Sequence, residues 1–513
     1  MRRFAIALLL ATALASAAAD SAALAVSVKD AASGDPIPDA EVNIFTLKAK
    51  GAYSAEEARY LFREVPAGSY EVDVYSQARA FRQIKTVALR SGAAGSLEFT
   101  LPAASSIEGR VVTEDGDPVG GATVLLVGRS YVRGALWYDS WPTKTDDDGH
   151  YRFPTVTPRA AYFIVALQDL GTITSISTVD ADPKKRNPIL QPAYYPHSKT
   201  LEGAAPVVVG VAEARKGIDI RMSASESYCV QGSVEVAGTP VTITGSILMP
   251  QLDWSIGTWV MQPGKFRVCD LPAAEYTLSG MGAGITGSSS VNVVSQDVTG
   301  IELRAAGPQR IAIEMAWEGD PPLVPITSKT SISFAERGMT TDARLPLPGQ
   351  GSISLKPGNG GYLVQAPGLP KGLYAKTITA DGVSLEGKRL EVIAGVSRTV
   401  RAVIAQDGGF LNASVVNSEG NPVPDMRVHI FPAGDLALDI LSLRHSSGIS
   451  GQNGAFASGT LPPGNYYVLA TNSSFANTPE GMARMREASK KATKVEVTPG
   501  ATAQVTIAPV IIE

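Results

Sequence analysis

Alternating apolar and polar residues recur along the chain in short runs that are separated by turns containing Gly and Pro. In Tyr70–Val74, apolar residues alternate with acids. Val72 and Val74 are therefore expected in a core, and Glu71 and Asp73 in water. Runs of this kind predict short antiparallel strands packed into β-sandwiches.

A single helical segment is predicted late in the chain. Thr478 suits an N-cap and Pro479 suits the first helical position. The segment from Glu480 to about Ala492 then has helix-forming residues. We interpret it as a surface insertion.

A short sequence motif that predicts a turn and ends in tyrosine, which we call the turn phrase, occurs five times. Its tyrosines lie 92, 114, 98 and 92 residues apart, which is the period of a domain rather than of a solenoid. Proline presets φ at about −65°, and tyrosine opens an alternating run, so each copy predicts a turn that leads into a strand. The copies are Val65–Tyr70, Val156–Tyr162, Leu271–Tyr276, Leu369–Tyr374 and Leu461–Tyr466.

The repeat period matches one β-sandwich of ~100 residues. We therefore predict an all-β tandem array of five antiparallel sandwiches, with very short links and no Pro- or Ser-rich linker, which favours a semi-rigid rod over freely jointed beads. Each sandwich is expected to bury its own core, so that a fragment from Ser105 to Ser223 folds alone. The predicted units are 26–103, 104–224, 225–306, 307–406 and 407–513.

Residues 1–19 have the pattern of a secretory signal peptide. Arg2 and Arg3 precede an apolar run, and small residues then offer cleavage sites, the last of them after residue 25. The alternative, a membrane anchor, is disfavoured because a spanning helix needs ~20 strongly apolar residues. We expect an exported protein, periplasmic or secreted, with no transmembrane segment in the mature chain.

Composition narrows the function classes. Lys plus Arg number 45 and Asp plus Glu 49, so the chain has no basic footprint for nucleic acid. Two Cys exclude a multi-cysteine metal site, and four His leave little material for a catalytic metal centre. We predict no catalytic residue, no metal site and no cofactor.

Three local motifs are similar to known ligand-binding motifs. The first is better explained as a flexible loop, the second as a chance match and the third as a hairpin turn. Gly282–Gly287 has the spacing of a dinucleotide loop without the helix that must follow it. Gly382–Lys388 is like a phosphate loop, yet Arg389 stands where Ser or Thr would bind magnesium. Asp146–Gly149 lacks the ligand spacing of a calcium loop and predicts a hairpin turn. The four histidines form no chelating pair along the sequence and are expected to be packed or solvated.

A longer pattern in the second unit consists of Gly109, Val111, Asp117, Val119, Gly121, Ala122, Val124, Thr145, Asp146, Gly149, Tyr151, Phe153, Pro158 and Tyr162. It resembles the carboxypeptidase regulatory-like domain. The first and fifth units match well, the third partly and the fourth only at its ends. The resemblance implies a transthyretin-like (prealbumin-like, Ig-like) sandwich, grouped with carbohydrate-binding-like folds. The metallopeptidase domain that lends the family its name is absent, because the chain contains no His-x-x-Glu.

Both cysteines, Cys229 and Cys269, fall in the third unit. Because disulfides persist in exported proteins, we predict that these two residues are bridged. The alternative is two separately buried thiols. A bridge over 40 residues is worth about 4 kcal/mol in the chain-entropy model.

Aromatic residues crowd a segment of the second unit that is expected to be an irregular insertion between strands. They are candidates for stacking on a sugar ring, and two tyrosines of a later loop are candidates for completing the same surface. The alternative is a loop that packs its own aromatics on the edge of the sandwich. Trp254 and Trp259 lie in the corresponding insertion of the third unit. The candidate ligand residues are Tyr131, Trp137, Tyr138, Trp141, Tyr194 and Tyr195.

Three functions remain open from the sequence. The leading hypothesis is an exported, non-enzymatic binding or scaffold protein of the cell envelope or extracellular space, with a glycan or an envelope protein as its partner. The second is a carbohydrate-binding protein that uses the aromatic segments of the second and third units. The third is an enzyme, which the absence of a recognisable nucleophile, acid pair or metal cluster disfavours.

Overall fold

Strands dominate the part of the chain that the structure describes. The computed structural model describes residues 21–158, 161–168, 188–236, 243–252, 254–261, 264–282, 284–321, 330–336, 339–357, 361–472 and 474–512. The expected leader, residues 1–19, lies outside this range. The strands pair into five successive two-layer β-sandwiches, which we call units 1 to 5. The predicted all-β fold is confirmed.

Units 1 and 2 each consist of two packed sheets. In unit 1 the sheet orders are β4-β5-β1-β8 and β3-β2-β6-β7. In unit 2 the first sheet has the order β11-β10-β13-β15, and β16 also pairs with β13. The second sheet has the order β12-β9-β17, and β18 also pairs with β9. Strands β14 and β19 pair with each other. The strands of unit 1 are β1 (Ser21–Asp30), β2 (Glu41–Ile44), β3 (Ala49–Lys50), β4 (Ala52–Ser54), β5 (Arg59–Pro66), β6 (Gly68–Ser76), β7 (Phe81–Leu89) and β8 (Ala94–Leu101). Those of unit 2 are β9 (Ser105–Thr113), β10 (Thr123–Val132), β11 (Ala135–Lys144), β12 (His150–Val156), β13 (Ala161–Leu167), β14 (Pro188–Leu190), β15 (Ala193–Tyr194), β16 (Val207–Val208), β17 (Ala214–Arg215), β18 (Ile220–Met222) and β19 (Ala224–Glu226).

Units 3 and 4 have the same two-sheet arrangement. The sheet orders are β23-β20-β26 and β22-β21-β24-β25 in unit 3, and β30-β27-β34-β32-β33 and β29-β28-β31 in unit 4. The strands of unit 3 are β20 (Tyr228–Val236), β21 (Ile243–Met249), β22 (Trp254–Met261), β23 (Gly264–Leu271), β24 (Ala274–Gly282), β25 (Ile285–Val293) and β26 (Val298–Ala305). Those of unit 4 are β27 (Gln309–Trp317), β28 (Thr330–Glu336), β29 (Met339–Leu345), β30 (Gly349–Leu355), β31 (Leu363–Gln365), β32 (Tyr374–Ala380), β33 (Val383–Ser384) and β34 (Arg398–Ala405).

Unit 5 adds two helices to its sheets, which have the orders β38-β35-β41 and β37-β36-β39-β40, with β42 also on β39. Its elements are β35 (Phe410–Val415), β36 (Arg427–Pro432), α1 (Leu438–Arg444), β37 (Ser446–Ile449), β38 (Ala455–Ala457), β39 (Gly464–Thr471), α2 (Pro479–Ala488), β40 (Thr493–Val497), β41 (Thr502–Ile507) and β42 (Pro509–Val510). Short 3₁₀ turns lie at Phe45–Leu47, Gln77–Arg79, Pro250–Leu252 and Ser489–Lys491.

One parallel strand pair recurs in every unit, although antiparallel pairing predominates. The first strand of each unit pairs in parallel with a strand near the end of the unit: β1 with β8, β9 with β18, β20 with β26, β27 with β34 and β35 with β41. Because a parallel pair needs a crossover through the opposite sheet, the chain closes each sandwich only when its last strands are in place.

The repeated tyrosine ties its strand to the turn that precedes it. The Tyr70, Tyr276 and Tyr466 hydroxyls each donate to the carbonyl of the proline four residues earlier, at 2.9, 2.6 and 2.6 Å. In unit 2 the Tyr162 hydroxyl donates instead to the Thr157 carbonyl at 3.2 Å. In these four units, the phrase found in the sequence therefore contains both partners of a hydrogen bond that holds the turn.

One acid of the first alternating run is buried, contrary to the prediction. Val72 and Val74 are fully buried as expected, but Asp73 is only 3% exposed. The Arg82 Nε donates to both oxygens of the Asp73 carboxylate, at 2.9 and 2.8 Å. The neighbouring strand β7 supplies this arginine. The Asp73 carboxylate is therefore paired with a cation, whereas the alternating pattern alone predicted that it would be exposed to water.

Units 2 and 3 share one hydrophobic core. On β10 and β13, one set of side chains faces the other sheet of unit 2 and includes Val124 and Ile164. The alternate side chains face unit 3 and pack in one cluster with residues such as Val230 and Tyr276. Unit 2 buries a core of its own, as expected, but it also buries a second row of side chains against unit 3, so independent folding of these two units stays a prediction. The unit 2 strand residues in the shared core are Leu125, Val127, Phe163, Val165, Leu167 and Tyr194.

The predicted helix is present and capped as expected. The backbone N–H of Gly481 donates to the Thr478 hydroxyl at 3.0 Å, and α2 begins at Pro479. The helix is not a bare surface insertion, because Met482 and Met485 are buried against α1 and Phe431. Helix α1 was not predicted from the sequence, and its seven residues have no side-chain cap.

The shared core predicts how fragments behave. A fragment of residues 105–306 should fold with a cooperative melt, whereas residues 105–223 should expose the five β10 and β13 side chains that face unit 3. Each of them is worth roughly 1.5–3 kcal/mol when buried. We expect the shorter fragment to bind a hydrophobic dye strongly and to aggregate. A shorter fragment as soluble and as resistant to urea as the longer one would contradict the shared core.

Candidate functional site

The aromatic segment of unit 2 is a regular hairpin rather than an irregular insertion. Strands β10 and β11 pair from Thr123↔Lys144 to Val132↔Ala135 without a register shift. Arg133 and Gly134 form the two-residue turn with φ of 53° and 81°. Two successive positive φ angles match the twist of a tight hairpin, and a non-glycine residue at the first position hid this turn from sequence analysis.

The hairpin tip is wedged between units 4 and 5. A Cβ atom on Gly134 would lie 3.0 Å from the Leu443 Cβ and 3.2 Å from the Asp439 carbonyl oxygen of α1, and 3.6 Å from the Gly387 Cα of unit 4. The Tyr131 N–H donates to the Asn477 carbonyl at 2.6 Å. This position favours glycine, because an added Cβ would force its neighbours to shift by a few tenths of an ångström and the positive φ is unfavourable for a side chain.

A second set of contacts fixes the hairpin along its length. Arg129 forms an ion pair with Glu480 of α2 at 2.5 Å and covers the Phe163 ring at 4.5 Å. The Ser140 hydroxyl donates to the Leu252 carbonyl of unit 3. The hairpin therefore contacts units 3, 4 and 5 at once.

The predicted aromatic platform is divided among these contacts. Tyr131 packs beside the unit 5 helices, and Tyr138 packs against the core shared with unit 3, where burial raises its pKa. Trp137 is half-buried, with the Arg389 guanidinium of unit 4 at 4.3 Å from its ring. Trp141 is 49% exposed and meets Tyr162 edge-on. Most of these rings join units to one another.

The two later tyrosines do not complete a shared surface. Tyr194 lies in β15, pairs with Val165 and is 4% exposed in the core shared by units 2 and 3. This burial raises the pKa of its phenol. Tyr195 is half-buried against the core of unit 2 itself. The sequence did not indicate the burial of Tyr194, because it does not show that unit 3 covers the second face of the unit 2 sheet that contains β15. Trp254 also packs against the shared core, and the side chain of Trp259 lies outside the described set.

A cleft of about 830 Å³ opens where units 2, 3 and 4 meet. Unit 2 contributes Trp137 and Tyr138 from the hairpin. Unit 3 contributes a serine row, Ser288–Ser290, with Glu275 on the neighbouring strand, and unit 4 contributes a wall at residues 389–394. Among the described surfaces, this cleft combines aromatic, hydroxyl and charged groups from three units, and it is the candidate functional site.

The first and last units are also in contact, so the predicted rod is wrong. The Thr86 N–H and hydroxyl both donate to one carboxylate oxygen of Asp425, at 2.8 and 2.6 Å. The Gln452 side-chain amide donates back to the Thr86 carbonyl at 3.2 Å. Asp425 has a φ of 59°, so a turn in the left-handed region presents this carboxylate to unit 1.

The structure joins Cys229 and Cys269, as the sequence predicted. The disulfide links β20 to β23 across 40 residues within unit 3. Within the described residues, no group of three or more His, Cys, Asp or Glu side chains is placed to hold a metal ion. The described helices include none long and apolar enough to cross a bilayer.

Two histidines that are distant in the sequence form a packed pair in unit 5. The His429 Nδ1 and the His445 Nε2 lie 2.9 Å apart, and the His429 Nε2 lies 3.2 Å from the Thr471 hydroxyl. Burial, and secondarily the charge of Arg427, lowers the pKa of His445 to about 4. His445 follows the last residue of α1, so this pair holds the helix that receives the hairpin tip.

A comparison with protein-family models gives a match to unit 1. Residues 23–102 match the family model of the carboxypeptidase regulatory-like domain. Unit 1 is therefore similar in sequence to the carboxypeptidase regulatory-like domain. The match falls on unit 1, whereas the sequence pattern was strongest in unit 2; the extension of the carboxypeptidase regulatory-like domain to the later units stays a prediction. No curated protein matches the chain in sequence.

Solved structures similar to the chain include an ancillary pilin, the TIE protein and a pilus protein. A streptococcal ancillary pilin is 9% identical, covers 55% of this chain and 99% of its own, and has a TM-score of 0.18. The Bacillus anthracis TIE protein is 12% identical, with 78% and 73% coverage and a TM-score of 0.18. The RrgB pilus protein from Streptococcus pneumoniae is 9% identical, with 80% and 98% coverage and a TM-score of 0.15. At these TM-scores the similarities support no functional inference.

The hairpin tip can be tested with a matched pair of glycine variants. Gly134→Ala and Gly217→Ala both place a side chain at positive φ, which costs about 1 kcal/mol, but only Gly134 has atoms within 4 Å of the added Cβ. We expect Gly134→Ala to increase amide hydrogen exchange in α1, in unit 5, and Gly217→Ala to leave it unchanged. Equal exchange in α1 for the two variants would mean that the tip does not hold the units together.

The histidine pair predicts a local pH dependence. The pKa of His445 is lower in the folded chain than its ordinary value of 6.5, so the unfolded state binds more protons between about pH 6.5 and 4. Stability of the α1 region is therefore complete above pH 6.5 and is lost as pH falls toward 4. We expect hydrogen-exchange protection of α1 to fall between pH 7 and 5 in the wild type and to change much less in His445→Gln. The same loss in both proteins would assign the effect to other groups.

Proposed function

We propose that the protein is an exported, non-enzymatic binding or scaffold protein of the cell envelope or extracellular space. The observation that carries this proposal is the cleft between units 2, 3 and 4, whose walls come from three separate sandwiches. A site assembled in this way depends on how the units are held, and the hairpin contacts hold them. The leader pattern of residues 1–19 and the disulfide of unit 3 both support export.

The chemistry of the cleft supports recognition rather than catalysis. Its charged groups include Arg304, which forms ion pairs with Glu302 at 2.9 Å and with Glu235 at 3.4 Å. Arg389 is stacked on Trp137. Groups that are engaged in this way shape a surface and orient a ligand, whereas catalysis needs a nucleophile or base poised toward a substrate.

A carbohydrate-binding protein is the second candidate. The observation that favours it is that Trp137 and Ser288–Ser290 line the same cleft. An aromatic face and hydrogen-bonding neighbours are what a sugar ring needs. The cleft itself is lined by only two of the candidate aromatics, Trp137 and Tyr138, and Arg389 of unit 4 already stacks on the Trp137 ring.

A blocking variant tests the proposed function. Ser288→Trp places an indole in the cleft at an exposed position, and Ile511→Trp places one on an exposed residue of unit 5 outside the cleft. We expect immobilised wild-type protein to retain a component of its host's envelope fraction or a member of a glycan array. Ser288→Trp should lose this binding at least tenfold, by roughly 1.4 kcal/mol or more, while Ile511→Trp keeps it.

The outcomes separate the candidates. Binding to the array that Ser288→Trp abolishes would select the carbohydrate function, and binding to an envelope protein would select the scaffold function. Binding that is equal in both tryptophan variants would place the functional site elsewhere. No binding by the wild type to either probe would contradict the proposed function.

A further inference from the structure

The first strand of unit 1 overlaps one of the cleavage sites that the leader offers. Small residues with the spacing that a leader peptidase accepts occur at residues 15–17, 17–19 and 23–25, and the sequence pattern does not choose among them. Strand β1 contains residues 21–30, so the last of these sites lies inside the strand and the other two lie before it. The contacts of residues 21–25 therefore bear on where the mature chain begins.

Strand β1 has a neighbouring strand on each side over this segment. It lies between β5 and β8 in its sheet, and Ala25 pairs with Leu61 of β5 and with Ser96 of β8. The Ala23 N–H donates to the Ala93 carbonyl at 3.1 Å. Proteolysis takes place in exposed, loosely held backbone. A strand that is paired on both edges offers no such backbone, so the bond after Ala25 is protected in the folded unit.

Two side chains of the same segment belong to the core of unit 1. Ala22 is 3% exposed and Leu24 is 1% exposed, and both pack in the cluster that contains Phe62 and Phe99. Cleavage after Ala25 would remove both side chains and leave a cavity among their apolar partners. It would also remove the first half of the strand that separates β5 from β8. A product of that cleavage would therefore lack part of the fold of unit 1.

The sequence match of unit 1 also includes this segment. It extends over residues 23–102, so that residues 23–25 fall within the matched domain rather than before it. Pairing, burial and the sequence match agree that this part of the chain belongs to the sandwich. A leader that ended after residue 25 would contain residues that the sandwich uses.

We propose that the leader is removed before β1, after Ala17 or Ala19, and that the mature chain keeps the whole strand. The step is hydrolysis of one peptide bond, in which water supplies a hydroxyl to the new carboxyl group and a hydrogen to the new amino group. The enzyme class is a leader peptidase, which requires small residues at the first and third positions before the cleaved bond. The proposal rests on the proposed export of the protein and names its processing site.

The first residue of the exported protein tests this site. The full chain is expressed in a secretion-competent host, and the exported protein is analysed by N-terminal sequencing and intact mass. We expect it to begin at Ala18 or Asp20. Exported protein that begins at any other residue, above all at Val26, would overturn the processing site and leave export standing. Cell-associated protein that retains Met1 and the leader would contradict export and, with it, this proposal.

Matched substitutions at the two regions separate them. Glutamine is too large for a position that requires a small residue. We expect Ala17→Gln, Ala18→Gln and Ala19→Gln together to reduce the amount of mature protein about tenfold. The Ala25 side chain is only partly buried, so β1 can accept Ala25→Gln, and this variant should be processed at the same residue as the wild type. Wild-type amounts of a chain that begins at Val26, produced by the triple variant, would overturn the proposal.

Two chains without the leader test the structural reason for the site. One begins at Asp20 and the other at Val26, each after an initiator methionine. We expect the amides of β5 and β8 that face β1 to exchange about tenfold faster in the shorter chain, because their strand partner is missing. Exchange in β27 of unit 4 should be the same in both chains and serves as the internal control. Equal exchange of β5 and β8 in the two chains would show that unit 1 does not need residues 21–25 and would overturn the proposal.

Discussion

One sheet of unit 2 is apolar on both faces, and the arrangement of the other units depends on covering its second face. Strands β10 and β13 put one row of side chains into their own sandwich and the alternate row into the core of unit 3. Leaving that second row in water would expose five large apolar side chains, a cost that no surface hydrogen bond offsets. Units 2 and 3 therefore bury an apolar interface between them in addition to the core within unit 2.

The long β10–β11 hairpin extends this constraint to the rest of the chain. Because the base of the hairpin is held by the shared core, its tip projects in a fixed direction and meets units 4 and 5. Gly134 allows the close approach, and Arg129 and Arg389 add charged contacts at its sides. The cleft follows from the same geometry, since the hairpin, the edge of unit 3 and a wall of unit 4 are its boundaries.

Hydrogen bonds between units 1 and 5 hold the first and last sandwiches of the array against each other. Asp425 accepts both hydrogen bonds from Thr86, across 339 residues of sequence. The carboxylate of Asp425 is presented by a left-handed turn rather than by a regular strand. A hydrogen bond to a charged group contributes roughly 1.5–3 kcal/mol, so these two bonds help to hold unit 1 against unit 5.

The sequence by itself determined the properties that depend on neighbouring residues. In units 1, 3 and 5 the turn phrase contains its tyrosine and the carbonyl that the tyrosine reaches four residues back. Thr478 caps the helix that follows it, and the period of the phrase counts the units. The two cysteines could also be paired, because no other thiol competes for them. Only the tertiary structure decided which faces of β10 and β13 are covered, where the candidate aromatics lie, and that the first and last units touch. Those outcomes rest on pairs such as Tyr131 with Asn477, 346 residues apart, and a local pattern cannot specify contacts whose partners are brought together only by the packing of whole sheets.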